Sequence, residues 1–184
     1  MGDMYTLAPV SSRESLHMLG GLIQTRERLI ELLTSVSDED LNHQVQDFPT
    51  IGGYGLHLAQ IEWWWNKMVL SGEGITEDER AHFHFTGKQE IPSMKLDKSL
   101  ILSRLGEARM LTREYFHSLS DVEFRRSSLP IHGDDSGDLY SPSWVIYHLS
   151  YHESYHLGQM LLLRKWITGQ REKWDHFKSP HLST

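Results

Sequence analysis

The chain has 184 residues, of which 39% are hydrophobic and 23% charged, as in ordinary globular proteins with a sizeable core. It contains no cysteine, which excludes disulfides, a cysteine nucleophile and thiolate metal ligands. A net charge of −7 argues against a nucleic-acid partner, and the absence of a long apolar run or a signal-like leader predicts a cytoplasmic protein without a membrane span.

The N-terminal half of the sequence predicts two long helices. The first spans residues 13–36, where apolar residues recur on one face, and Ser11 and Glu14 have the spacing of a capping box. Residues 37–49 are polar and rich in turn-forming residues. The second helix is predicted over residues 50–70. Its first turns carry three glycines, which favour close backbone approach: Gly52, Gly53 and Gly55.

The middle of the chain predicts a long connection followed by a third helix. Residues 73–92 are too many for a tight hairpin, so we expect them to cross over along a helical bundle. The third helix is predicted over residues 95–119. Residues 121–140 are irregular in pattern, with a short strand expected at residues 128–132.

The fourth helix has the clearest boundaries. Ser141 suits an N-cap, Pro142 suits the first helical position, and Gly169 suits the residue that ends the helix after Thr168. Four long helices joined by one long connection predict an all-α four-helix bundle with a crossover between helices two and three. We expect a single domain over residues 1–184, with its core at about residues 12–168.

Histidine recurs every four residues in this last helix, at positions 148, 152 and 156. Residues four apart stand ~6 Å from one another along a helix axis and on nearly the same face, so a neighbouring pair can bind one metal ion. His148 and His156 are too far apart to share an ion with each other, so a third ligand must come from elsewhere. Ordinary packing with hydrogen-bonded histidines is the alternative interpretation.

The best candidate for a third ligand is His57, because Leu56, Leu58 and Ile61 place it in an apolar helical context near the start of helix two. One competing pattern also fits this region. His152-Glu-Ser-Tyr-His156 matches H-E-x-x-H, the zincin protease signature, in which Glu153 would be the general base and Glu172 a distal ligand. We disfavour a protease, because no strand pattern supplies the sheet edge on which such enzymes align their substrates.

Four motifs then occur in a recognisable order: Thr50-Ile-Gly, His57-Leu-Ala, Ser141-Pro-Ser-Trp144 and His152-Glu-x-x-His156-x-Gly-Gln. Together they resemble the DinB-like superfamily, also described as YfiT-like metal-dependent hydrolases, over about residues 12–168. The resemblance implies a four-helix bundle whose metal ligands are His57, His152 and His156. The implied cofactor is a divalent transition metal, with zinc or nickel expected first.

Known relatives in this superfamily include bacillithiol, mycothiol and glutathione S-transferases. The resemblance therefore implies a thiol S-transferase, in which the metal turns a low-molecular-weight thiol into a thiolate that attacks an electrophile. Two alternatives stay open: a hydrolase that uses metal-bound water, and a non-catalytic module that binds metal or a small ligand. The candidate proton-handling or orienting neighbours are Tyr155, Glu153, Gln159 and His148.

The consecutive tryptophans Trp63, Trp64 and Trp65 point to several sides of helix two, so they cannot all contact one ligand. We interpret them as core residues and as the wall of a pocket or of a dimer interface. A homodimer is expected from the family resemblance.

Overall fold

The computed structural model describes residues 13–86, 90–126 and 128–170. Within these ranges the chain forms seven α-helices: α1 (Glu14–Ser35), α2 (Asp38–Leu41), α3 (Ile51–Trp65), α4 (Glu77–His82), α5 (Lys98–Ser118), α6 (Asp121–Arg125) and α7 (Pro142–Thr168). The four long helices α1, α3, α5 and α7 form the bundle, and a long crossover connects α3 to α5. The predicted all-α fold is confirmed.

The helix boundaries follow local sequence signals where those signals are strong. At the start of α7, the Ser141 hydroxyl accepts a hydrogen bond from the Trp144 amide, and Gly169 ends the helix with a φ of 72°. Thr50 caps α3 in the same way by accepting from the Gly53 amide. At α1 the N-cap is Arg13, without a side-chain hydrogen bond, and the Ser11 of the predicted capping box lies outside the described residues.

Three short helices lie in segments for which the sequence predicted no helix. Helix α2 falls in the turn-rich segment after α1, α4 falls in the crossover, and α6 follows α5. Both α4 and α6 begin with a complete capping box, formed by Thr76 with Glu79 and by Ser120 with Glu123. These one- to two-turn helices escaped prediction because none is long enough to show an apolar period.

Helix α3 does not end as a regular α-helix but continues as a π-helical turn, Asn66–Leu70. The predicted strand at residues 128–132 is present only as the two residues Leu129–Pro130. They pair antiparallel with a strand that was not predicted, Leu139–Tyr140. This hairpin leads directly into α7.

Helix α3 packs against both α5 and α7 and lies diagonally across the bundle from α1. A Cβ atom at Gly55 would lie only 2.8 Å from Cγ2 of Ile101 on α5, so the glycine is what permits this approach. The predicted close approach at the glycines is therefore present at Gly55, and also at Gly53, where a Cβ atom would overlap the backbone carbonyl oxygen of Pro92. Within the described residues, no helix combines the length and the apolar character needed to cross a membrane.

Candidate metal centre

Three histidines from two helices meet in the bundle. His57 lies on α3, and His152 and His156 lie one turn apart on α7. The Nε2 atom of His152 is 3.4 Å from Nε2 of His57 and 3.1 Å from Nε2 of His156. One ring nitrogen from each residue lies within 4.8 Å of the other two. The structure thus brings together the three histidines that the sequence analysis selected as metal ligands.

The three rings are shielded from water to different degrees. His57 and His156 are buried, with 7% and 8% of their surface exposed, and His152 is half-buried. Burial, followed by the repulsion of His156, lowers the pKa of His57 to about 4. Burial, followed by the repulsion of neighbouring histidines, lowers the pKa of His152 to about 3. Burial also lowers the pKa of His156, so all three rings are neutral at pH 7.

A hydrogen bond fixes which nitrogen of His156 faces the other histidines. Its Nδ1 atom lies 2.7 Å from the Oε1 atom of Gln159, one turn further along α7. An amide oxygen only accepts hydrogen bonds, so Nδ1 carries the proton and Nε2 keeps its lone pair. Gln159, in turn, extends its amide nitrogen toward the Tyr155 hydroxyl at 3.4 Å. Gln159 therefore orients a candidate ligand.

These nitrogens have the chemistry that a metal ion requires, and two of their three separations match those of a zinc site, while the third is within 4.8 Å. Ligand nitrogens ~2.05 Å from a tetrahedral zinc ion lie about 3.3 Å from each other, close to the two separations of 3.4 and 3.1 Å here. Neutral imidazoles bind zinc, nickel, copper and iron, so the group can hold a divalent transition metal without selecting one. Three protein ligands leave a tetrahedral ion one position for a substrate.

The remaining candidate residues surround this group in different ways. The His148 ring stacks on the His152 ring at 5.7 Å between centroids and on the Trp144 ring at 5.0 Å. Burial lowers the pKa of His148. Tyr155 is exposed, with its ring 5.2 Å from that of His156. His148 and Tyr155 thus form walls beside the three nitrogens.

The carboxylate of Glu153 has a different environment. Its Oε2 atom accepts hydrogen bonds from Arg26 and Arg109 inside the bundle. In the described residues the only strands are the two-residue pair after α6, so they supply no long sheet edge for a protease substrate. Glu172, the distal ligand in the zincin interpretation, lies outside the described residues.

The tryptophan run separates as predicted, because consecutive helical residues point in different directions. Trp63 stacks on Phe83 of the crossover at 4.2 Å. Trp65 contacts the other side of the bundle, with its ring 5.1 Å from His148 and 5.3 Å from Trp144. Trp65 therefore supports the aromatic wall beside His152.

Several residues around the site were not predicted from the sequence. The Tyr54 ring lies 5.0 Å from His156, and burial raises the pKa of its hydroxyl. Its position one turn before His57 was the available signal. Arg26, Glu62 and Arg109 are buried at the centre of the bundle with Glu153. Arg26 continues the apolar series Leu19, Leu22, Leu29 and Leu33, which was the clue that it lies in the core.

Comparison with known proteins agrees with the fold. The sequence profile of the DinB superfamily matches residues 22–160. The crystal structure of a conserved protein from Enterococcus faecalis has a similar fold, with a TM-score of 0.64 at 12% sequence identity. The alignment covers 86% of this chain and 99% of that chain. A comparison with curated proteins finds no match.

Proposed function

The chain belongs to the DinB superfamily, and we propose that it is a metal-dependent enzyme, specifically a thiol S-transferase. In this proposal His57, His152 and His156 hold one divalent transition-metal ion, with zinc or nickel as the first candidates. The observation that carries the proposal is the convergence of three neutral imidazoles, two buried and one half-buried, with nitrogen separations of 3.1 and 3.4 Å. The co-substrates are a low-molecular-weight thiol and a small electrophile.

A bound divalent ion supplies a Lewis acid, which lowers the pKa of a coordinated thiol below its ordinary value of ~8.5. The protein residues provide the conditions for that chemistry. Because the three imidazoles are neutral, they leave the positive charge of the ion uncompensated. Gln159 holds the Nδ1 proton of His156 and keeps its Nε2 lone pair directed at the site.

The aromatic residues beside the site support a role in shielding the reaction from water. Tyr54 covers His156 from α3, while Trp144 and His148 form a stacked pair that continues to His152. Trp144 is itself 41% exposed, so this stacked series extends from the surface to a candidate ligand. A small electrophile with an apolar part fits such a wall.

The decisive experiment measures thioether formation by apoprotein reloaded with Zn²⁺ or Ni²⁺. A panel of low-molecular-weight thiols is offered with 1-chloro-2,4-dinitrobenzene or monochlorobimane as the electrophile. We expect metal-dependent turnover with at least one thiol, abolished in His156→Ala and retained in His17→Ala, which replaces an exposed histidine on α1.

The same assay separates the alternatives. Loaded protein that forms no thioether with any thiol contradicts the transferase proposal. Ester or amide cleavage by that protein without a thiol would support a hydrolase, in which water takes the place of the thiol. Stoichiometric metal binding without either reaction would support a binding module.

Two further expectations from the sequence remain proposals. A cytoplasmic location would give the enzyme access to a pool of small thiols. A homodimer is supported by the exposed aromatic residues of α7, of which Tyr147, Tyr151 and Tyr155 stand one turn apart with more than half of their surface exposed. Sedimentation equilibrium of wild type against Tyr151→Lys tests this assembly, and a wild-type monomer at all concentrations would contradict it.

A further inference from the structure

Four charged side chains meet at the centre of the bundle, one from each long helix. They are Arg26 of α1, Glu62 of α3, Arg109 of α5 and Glu153 of α7, and none is more than 7% exposed. We refer to these four residues as the ionic network. Its two positive and two negative charges balance, which is the condition under which such groups are buried.

Each arginine bridges both carboxylates. The Nη2 atom of Arg26 lies 2.6 Å from Oε2 of Glu62 and 2.6 Å from Oε2 of Glu153. The Nε atom of Arg109 lies 2.7 Å from Oε1 of Glu62, and its Nη2 atom lies 2.9 Å from Oε2 of Glu153. Although burial alone would raise the pKa of Glu62, the two arginines lower it to about 2.

Further hydrogen bonds fix the ionic network to the helix backbones. The Nη1 atom of Arg26 donates to the carbonyl of Leu105 on α5, and Nη1 of Arg109 donates to the carbonyl of Leu22 on α1, both at 2.8 Å. The Thr112 hydroxyl donates to Oε1 of Glu62 at 2.6 Å. These bonds are directional, so the ionic network accommodates one arrangement of the helices.

Each of the two helices that carry candidate ligands also carries one glutamate of the ionic network, close to those ligands in sequence. Glu62 follows His57 by five positions on α3, and Glu153 stands between His152 and His156 on α7. The two carboxylates would repel each other, but the guanidinium groups of α1 and α5 hold both. The two ligand-bearing helices are thus joined through the arginines.

We propose that the ionic network is the positioning element of the metal site, and this inference rests on the proposed metal binding. It sets the separation and rotation of α3 against α7, so that the nitrogen of His57 meets those of His152 and His156 at ligand spacing. A buried ion network adds little net stability compared with apolar packing, so the role assigned to this one is to select a single arrangement of the helices. Glu153 is then an anchor of the ligand helix rather than a proton acceptor in the reaction.

The first test compares Zn²⁺ affinity and the visible spectrum of bound Co²⁺, which reports ligand geometry, in wild type and Glu153→Gln. The substitution keeps the shape of the side chain but removes the charge that both arginines bind. We expect at least tenfold weaker Zn²⁺ binding and an altered Co²⁺ spectrum, as for other residues that orient metal ligands.

The matched control is Leu19→Ala, which removes a buried apolar side chain of α1 and no ionic contact. It should lower the thermal midpoint while leaving both metal readouts unchanged. Measurements are made at a temperature where circular dichroism shows every variant folded. A folded Glu153→Gln protein with wild-type affinity and spectrum would overturn the positioning role.

The second test replaces the whole ionic network by apolar residues, in the variant Arg26→Met, Glu62→Leu, Arg109→Met and Glu153→Leu. Such replacements often preserve folding. A folded variant with at least tenfold weaker Zn²⁺ binding supports the proposal, and wild-type affinity overturns it. If this variant does not fold, the Zn²⁺ affinity and the Co²⁺ spectrum of Glu153→Gln decide whether the ionic network positions the ligands. Failure of wild type itself to bind Zn²⁺ would contradict the proposed function, whereas equal binding by wild type and variants contradicts the positioning role alone.

Discussion

His57 and His152 are 95 residues apart in the chain, and their Nε2 atoms are 3.4 Å apart in the structure. Because burial lowers the pKa of both rings far below 7, both are neutral at physiological pH. In the tautomer that can bind a metal through Nε2, each ring directs its Nε2 lone pair toward the other ring, and the two lone pairs repel each other. In that tautomer a bound cation would replace the repulsion by favourable contacts, so the geometry is one that can hold a metal ion.

The lowered pKa values predict little proton release when a metal binds. At pH 6, three histidines with the ordinary pKa of ~6.5 would together release about two protons. With pKa values of about 4 for His57 and about 3 for His152, these two rings have almost no proton to lose. We expect fewer than one proton per Zn²⁺, measured by calorimetry in two buffers of different ionisation enthalpy. Release of two or more would contradict the neutral-imidazole site.

The same shifts predict how acid affects the apoprotein. Above about pH 7.5, one unit above the ordinary histidine pKa, the histidines are neutral in both the folded and the unfolded chain, so they add no pH dependence. As the pH falls from 6.5 toward 4, the unfolded chain binds protons that the buried rings of His57 and His152 do not bind. The free energy of unfolding of wild type should therefore fall more steeply across this window than that of His152→Asn, as urea titrations would show. Parallel curves would refute this linkage.

Gln159 should control metal affinity through His156. Gln159→Leu removes the acceptor at 2.7 Å from Nδ1, so the ring is no longer held in the tautomer that leaves Nε2 free. We expect roughly 10-fold weaker Zn²⁺ binding in a competition titration with a chromophoric chelator. Tyr155→Phe is the matched control, since it removes only the long 3.4 Å contact to Gln159 and should bind Zn²⁺ like wild type. Equal affinity in both variants would show that the tautomer is fixed in another way.

Arg26→Met should destabilise the fold strongly. It leaves two buried carboxylates with Arg109 as the remaining guanidinium partner, and breaking a buried ion pair on one side costs about 3–5 kcal/mol. Arg125→Met, which breaks the exposed ion pair with Glu14, should change the urea midpoint far less. Urea unfolding followed by circular dichroism measures both. Equal midpoints would mean that the buried charges are readily rehydrated.

Two glycines should respond oppositely to alanine. Gly55→Ala places a Cβ atom 2.8 Å from Ile101 and should cost about 1–3 kcal/mol through overpacking between α3 and α5. Gly106→Ala lies on the exposed side of α5 with nothing within 4 Å, so it should stabilise the helix by about 0.5–1 kcal/mol. Thermal unfolding of both variants checks the signs, and a stabilised Gly55→Ala protein would contradict the close packing.

The long helices were predictable because their signals are local. Ser141, Pro142 and Gly169 mark both ends of α7 without reference to the rest of the chain. The three candidate ligands, His57, His152 and His156, could also be predicted. His152 and His156 form an i, i+4 pair on one helix, and few other histidines of the chain lie in an apolar helical context from which they could complete the site. Each of these inferences depends on one or two helices, for which periodicity is informative.

The ionic network was not predictable in the same way. Charged residues on a helix normally face water, so Glu62, Arg109 and Glu153 each have an ordinary explanation as surface residues, and only Arg26 carries a local sign of burial. Their burial depends on where the four helices pack against one another. Local patterns in one sequence do not show that relationship. The H-E-x-x-H pattern is ambiguous for the same reason. Glu153 points into the bundle because it binds Arg26 and Arg109, which lie on other helices.

The three-histidine site is tested most directly by the metal content of purified protein, wild type against His57→Ala, after reconstitution with Zn²⁺ and removal of excess metal. We expect one ion per chain in wild type and almost none in the variant, with the helical circular dichroism of both unchanged. A His57→Ala protein that retains one ion per chain, or a wild type that retains none, would contradict a site formed jointly by α3 and α7.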